Sequence, residues 1–109
     1  MSSFNSSAVI EMSIKATAMN KDRARVWVES AHLPLFGFVR HAPIDIVIGS
    51  DQITVTLSPS GSRKVAGRVR NGKAISILDI CMPVSQRDAI RSGRDTFTVT
   101  ISQGLITIR

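Results

Sequence analysis

Tyrosine is absent from this chain, tryptophan occurs once, at Trp27, and cysteine once, at Cys81. A single thiol excludes an intrachain disulfide and a cysteine-based metal site. So few aromatics disfavour a base-stacking platform, which holds single strands with several exposed rings. No apolar run approaches the ~20 residues of a membrane-spanning helix, so no membrane partner is expected. The start, MSSFNSSAVIEMS, has neither a basic leader nor a long apolar stretch and does not read as a secretory signal. Residues 1–9 are expected to be a flexible tail, and a reducing cytoplasm is the default compartment.

Acidic side chains are also scarce. Eight of them face 14 Lys and Arg, which leaves a net charge of +6. That excess points to a polyanionic partner, nucleic acid first and an acidic protein or membrane surface after it. Ten of the fourteen basic residues are Arg, whose planar fork suits phosphate and carboxylate better than diffuse charge does.

What the chain does contain is β-branched alternation, arranged twice. Ile10, Met12 and Ile14 alternate with polar residues, RARVWVES follows, then AHLPLFGF as a short helix or turn, and PIDIVIGSDQITVTL as a hairpin about Gly49-Ser50-Asp51. The second half keeps that order: RKVAGRVRN, KAISILDI, a helix in MPVSQRDAIRSG with Ser85 as N-cap and Gly93 as stop, and a hairpin about Ser102-Gln103-Gly104. An offset of about fifty residues aligns Ile14 with Val65, Val26 with Ile77 and Ser30 with Cys81. The expectation is one mainly β domain, residues 10–109, made of two ββαββ-like repeats, 10–58 and 61–109, with one short helix each. Neither half can bury its own apolar face, so the two are expected to close into a small pseudo-symmetric barrel without exposed edges. Either the monomer is complete through its pseudo-twofold or a homodimer forms.

The stretches RVWVESAHLPLFGF and IDIVIGSDQITVTL resemble the SymE branch of the AbrB/MazE-like swapped-hairpin superfamily, and AIRSGRDTFTV resembles the general AbrB pattern of helix, Gly, acidic residue and strand. The resemblance runs from about residue 10 to the end and implies a swapped-hairpin barrel. Such units usually occur once per chain and pair as homodimers, whereas two stand here in tandem. For AbrB/MazE-like members the resemblance implies DNA binding as transcription regulators or antitoxins, and for SymE-like members a toxin effect on RNA or nucleoid. Fold alone does not choose between these.

The candidate nucleic-acid contacts are Lys15, Lys21, Arg23 and Arg25 in the first half and Arg63, Lys64, Arg68, Arg70 and Lys73 in the second. Basic strands can track a phosphate backbone, and Arg can read guanine edges. The plainer alternative is that these charges form the solvent face of two strands. Gly61, Gly67 and Gly72 are expected to make the second arm pliable. Trp27 is expected to be packed or half-buried, Phe36, Phe38 and Phe97 to lie in the core, Cys81 to be an inert thiol, and Asp79 to cap the segment after it. The isolated His32 and His41 offer no metal set, and no cofactor is expected. An RNA-cleaving group of Arg25, Glu29 and His32 ranks last, behind a duplex-DNA-binding regulator and an anti-defence inhibitor that covers an acidic surface of a nucleic-acid enzyme. A binding protein rather than an enzyme is therefore expected.

Overall fold

The chain's structure, a computed structural model, describes residues 8–109; the first seven residues of the expected tail lie outside the described residues. The first half forms β1 (Ile10–Lys15), β2 (Met19–Asn20), β3 (Arg23–Glu29), a 3-10 turn at Pro34–Phe36, β4 (Pro43–Ile48) and β5 (Ile53–Leu57). The second half forms β6 (Arg63–Lys64), β7 (Ala66–Arg70), β8 (Lys73–Met82), α1 (Val84–Arg91), β9 (Thr96–Ser102) and β10 (Leu105–Ile108). The period-two runs therefore became strands, and both expected hairpin tips are turns. The Gly49 N–H donates to the Gln52 carbonyl at 2.8 Å, and Gly104 takes the left-handed conformation at φ 72°.

Two antiparallel sheets result. One has six strands in the order β1-β9-β10-β5-β4-β6, the other four in the order β2-β3-β8-β7. Strands cross between the halves: β1 pairs with β9, β4 with β6, and β3 with β8. The register puts apolar residues in line across the six-stranded sheet. Ile14 lies opposite Phe97, Met12 opposite Val99, Ile106 opposite Val55, and Ile46 opposite Val55 on the far side. These meet Ala24, Val26, Val28, Leu78, Ile80 and Met82 from the inner face of the other sheet in one contiguous core. Phe38 and Phe97 are fully buried there, while Phe36 is only partly buried against its margin.

Several expectations need correction. The described strands form two open sheets rather than a closed barrel, so β1, β6, β2 and β7 remain edges. The short helix or turn expected between Pro34 and Gly37 is a three-residue 3-10 helix rather than the α-helix of a ββαββ-like repeat, confined by Pro34 at its start and Gly37 at φ 97°. Helix α1 begins at Val84 with Pro83, not Ser85, at its N-cap. Its end is held by Ser92 and Gly93 at positive φ and by Arg94, whose side chain donates to the carbonyls of Ile90 and Arg91. Asp79 caps nothing and lies inside β8. Gly67 provides close approach rather than pliancy: a Cβ there would collide with the Ile75 carbonyl oxygen and lie 2.8 Å from Arg40 Cγ. Among the described residues, no helix is long and apolar enough to cross a membrane.

Candidate nucleic-acid interface

The strand parity of β3 sends Ala24, Val26 and Val28 inward and Arg23, Arg25, Trp27 and Glu29 outward. Register carries this to the neighbours. Arg25 lies opposite Cys81, Trp27 opposite Asp79, Glu29 opposite Ile77, Arg68 opposite Ile75, and Arg70 opposite Lys73. Directly opposed residues share a face, so Arg23, Arg25, Arg68, Arg70 and Lys73 all belong to the outer face of the four-stranded sheet. Lys21, at φ 59°, sits at the β2–β3 tip beside them. Six of the nine candidates thus come together.

The other three do not. Lys15 ends β1 and Arg63 and Lys64 form β6, on opposite edges of the six-stranded sheet. The polar face of that sheet is dominated by Thr54, Thr56, Thr98, Thr100 and Thr107, which leaves it nearly neutral. Eight of the fourteen Lys and Arg therefore lie off the four-stranded face, but no other sheet face gathers as many of them.

Within the basic face, three of the arginines are held by acids. The Arg25 guanidinium donates twice to Asp79, Nε to Oδ1 at 2.9 Å and Nη2 to Oδ2 at 3.0 Å, and lies 4.3 Å over the Trp27 ring. The hydrogen bond to Asp79, reinforced by its charge, pushes the Arg25 pKa up. Arg68 Nη2 reaches Glu29 Oε1 at 3.3 Å, and Arg70 Nη1 stands 3.8 Å from Oε2 of the same carboxylate. Among the described residues, Lys21, Arg23 and Lys73 have no ion-pair partner and are exposed. These three cations sit at the two hairpin tips, with the exposed Asp22 between Lys21 and Arg23, and the single Glu29 carboxylate is shared by Arg68 and Arg70. Cys81 and Lys73, which face Arg25 and Arg70, are eight positions apart along β8, or about 26 Å at ~3.3 Å per residue.

The middle of the face is apolar and partly covered. Trp27 is half-buried, as expected, and Ile77 is buried although it lies outside the main core cluster. Beyond the end of β3, residues Lys73 to Ser76 of β8 pair with β7 alone. A shallow groove of about 350 Å³ opens there, lined by Glu29, Ala31, Pro34, Lys73 and Ile75. Glu29 and Asp79 are the residues whose roles the sequence pattern did not disclose. Their alternation with Trp27 and Cys81 marks an outward face, but only strand pairing shows which arginines they hold. Of the candidate acid–base group Arg25, Glu29 and His32, Arg25 is paired with Asp79 and Glu29 with Arg68 and Arg70. Among the described residues, no group of three or more His, Cys, Asp or Glu could hold a metal ion. Compared with protein-family models, curated proteins and solved structures, the chain matches none of them.

Proposed function

We propose that this chain binds nucleic acid, duplex DNA in the first place, through the outer face of its four-stranded sheet, and acts as a regulator rather than an enzyme. The observation that carries this is the convergence of Lys21, Arg23, Arg25, Arg68, Arg70 and Lys73 on one face, opposite a nearly neutral threonine face. A face about 26 Å long matches most of one duplex turn of ~34 Å, with free cations at both tips. Each phosphate contact would release counterions, so binding should weaken steeply with salt.

The same proposal treats the halves as two copies of a swapped-hairpin unit of AbrB/MazE type. Exchanging the halves turns β1 into β6, β9 into β4, β10 into β5, β2 into β7 and β3 into β8. Under that exchange each sheet order reads the same from its other end. Pairing of β1 with β9 and of β6 with β4 is what mutual strand exchange between two units requires.

Fluorescence anisotropy with a labelled DNA duplex, titrated with salt, tests the function. Binding with a steep log–log salt slope is expected, abolished in Arg68→Glu/Arg70→Glu while the thermal melt stays cooperative. Retained affinity in that variant would remove the sheet face as the grip.

A second occupant is favoured by one specific observation, the half-buried Trp27 and Ile75 flanked on the same face by Arg25, Arg68 and Arg70. Trp and Arg are the residues enriched in protein–protein hot spots. An acidic surface on a nucleic-acid-processing enzyme would meet that composition, and binding to such a protein without binding to duplex would select it.

A further inference from the structure

Four strands end the two sheets, and they differ in what they offer. Strands β2 and β6 have two residues each, too short to template pairing. Strand β7 has five but carries Arg68 and Arg70, so a second copy laid antiparallel across Arg68 would set like charges together. Strand β1 has six residues, IEMSIK, and among the described residues nothing pairs with its outer side.

Its backbone orientation is fixed by the ladder it already makes. The Ala16 N–H donates to the Asp95 carbonyl at 2.8 Å, one step beyond the pair Lys15–Thr96. Hydrogen-bonded pairs alternate along an antiparallel ladder. Ile10, Met12 and Ile14 therefore turn their N–H and C=O groups toward β9, and Glu11, Ser13 and Lys15 turn theirs to the open edge. The side chains follow the same division. Glu11, Ser13 and Lys15 are exposed, while Ile10, Met12 and Ile14 lie against the core without being fully covered.

We propose that β1 is a self-recognition strand, and that the chain forms a twofold dimer by antiparallel β1–β1 pairing centred on Ser13. Centring there places Glu11 opposite the Lys15 of the other copy, twice, on the exposed face. It places Met12 opposite Ile14, twice, on the apolar face, where each covers the other's remaining exposure. The outward N–H and C=O groups of Glu11, Ser13 and Lys15 are the ones that such a pairing consumes. Neighbouring registers lose this match: centring on Met12 leaves Glu11 facing Ser13, and centring on Glu11 or Lys15 opposes like charges. The result is one continuous sheet of twelve strands, with a second basic face related to the first by the dyad. This inference stands apart from what that face binds.

Sedimentation over a concentration series tests it together with directed cross-linking. Glu11→Lys and Lys15→Glu should each shift the protein to monomer, and the double variant Glu11→Lys/Lys15→Glu should restore the dimer, because it recreates both pairs with their signs exchanged. In a Cys81→Ser background, Ser13→Cys should form an intermolecular disulfide, since hydrogen-bonded partners stand about 5.5 Å apart at Cα, inside the disulfide range of ~4.4–6.8 Å. Glu11→Cys in that background should remain uncross-linked. A wild type that is monomeric throughout, a double variant that stays monomeric, or cross-linking at position 11 as readily as at 13 would overturn the proposal.

Discussion

Arg25 and Asp79, 54 positions apart in the chain, face the same solvent from the two central strands of the smaller sheet and meet through two parallel hydrogen bonds of 2.9 and 3.0 Å. The pair joins the two halves at the point where β3 and β8 run side by side. It also places a carboxylate inside the basic face, where it competes with any incoming phosphate.

Asp79→Asn should therefore tighten duplex binding a few-fold. The substitution removes a negative charge from the face and frees one edge of Arg25. It should also alter Trp27 fluorescence, because the guanidinium stacked 4.3 Å from the ring is no longer fixed. Anisotropy and emission spectra read the two effects separately; weaker binding would contradict the competition.

The hairpin tip is expected to set the salt dependence. Lys21→Ala/Arg23→Ala should lower the log–log salt slope by about 2, one for each phosphate that is no longer neutralised. Lys64→Ala, at the far edge of the other sheet, should leave the slope unchanged.

Much of the fold was legible in the amino-acid pattern alone. Alternation at Ile10, Met12 and Ile14, or at Phe97, Val99 and Ile101, sets a strand and its buried face without knowledge of its neighbour. Glycine at 104 and the run at 49–51 marked the hairpins. Which strands pair across the halves is a long-range property that period-two patterns do not carry, and the barrel expectation failed there. The short segment between Pro34 and Gly37 was legible from those two residues as a helix or turn, and it is a 3-10 helix. The basic residues were visible as a cluster in sequence, yet long-range strand pairing divided them, placing Lys15 on β1 and Arg63 and Lys64 on β6 in the other sheet. The roles of Glu29 and Asp79 depended on register alone.

Phe97 tests the shared core. It is fully buried opposite Ile14, so Phe97→Ala should cost about 3–5 kcal/mol in chemical denaturation. Because β1 packs on that ring, the loss should appear as a single cooperative transition rather than as local fraying of the sheet edge.

Gly67 allows β7 to pass close to β8 and to Arg40. Gly67→Val should destabilise by about 1–3 kcal/mol, since its Cβ falls against the Ile75 carbonyl oxygen and the Arg40 side chain. Trimming the arginine with Arg40→Ala should not rescue it, because the backbone oxygen stays in place; recovery on trimming would show the side chain to be the obstacle.

Asp88 contributes to the acid limb of stability. The hydrogen bond from Arg91, at 3.0 Å, followed by that from Arg87, at 3.1 Å, holds its carboxyl below the ordinary value of 3.8. A carboxyl lowered by folding contributes stability that is present above its unfolded pKa and disappears as pH falls through the lower folded one. Asp88→Asn should therefore melt below wild type at neutral pH, and the difference should shrink as pH drops beneath about 4. Melting curves across that range check the sign.

The crossing of β1 to β9 has a consequence for synthesis. The strand at Ile10–Lys15 is translated long before the one it joins, Thr96–Ser102, with every other strand except β10 made in between. A nascent polypeptide must hold Ile10, Met12 and Ile14 unpaired through that whole interval, and the six-stranded sheet can assemble only once β10, which joins β9 to β5, has cleared the ribosome as well.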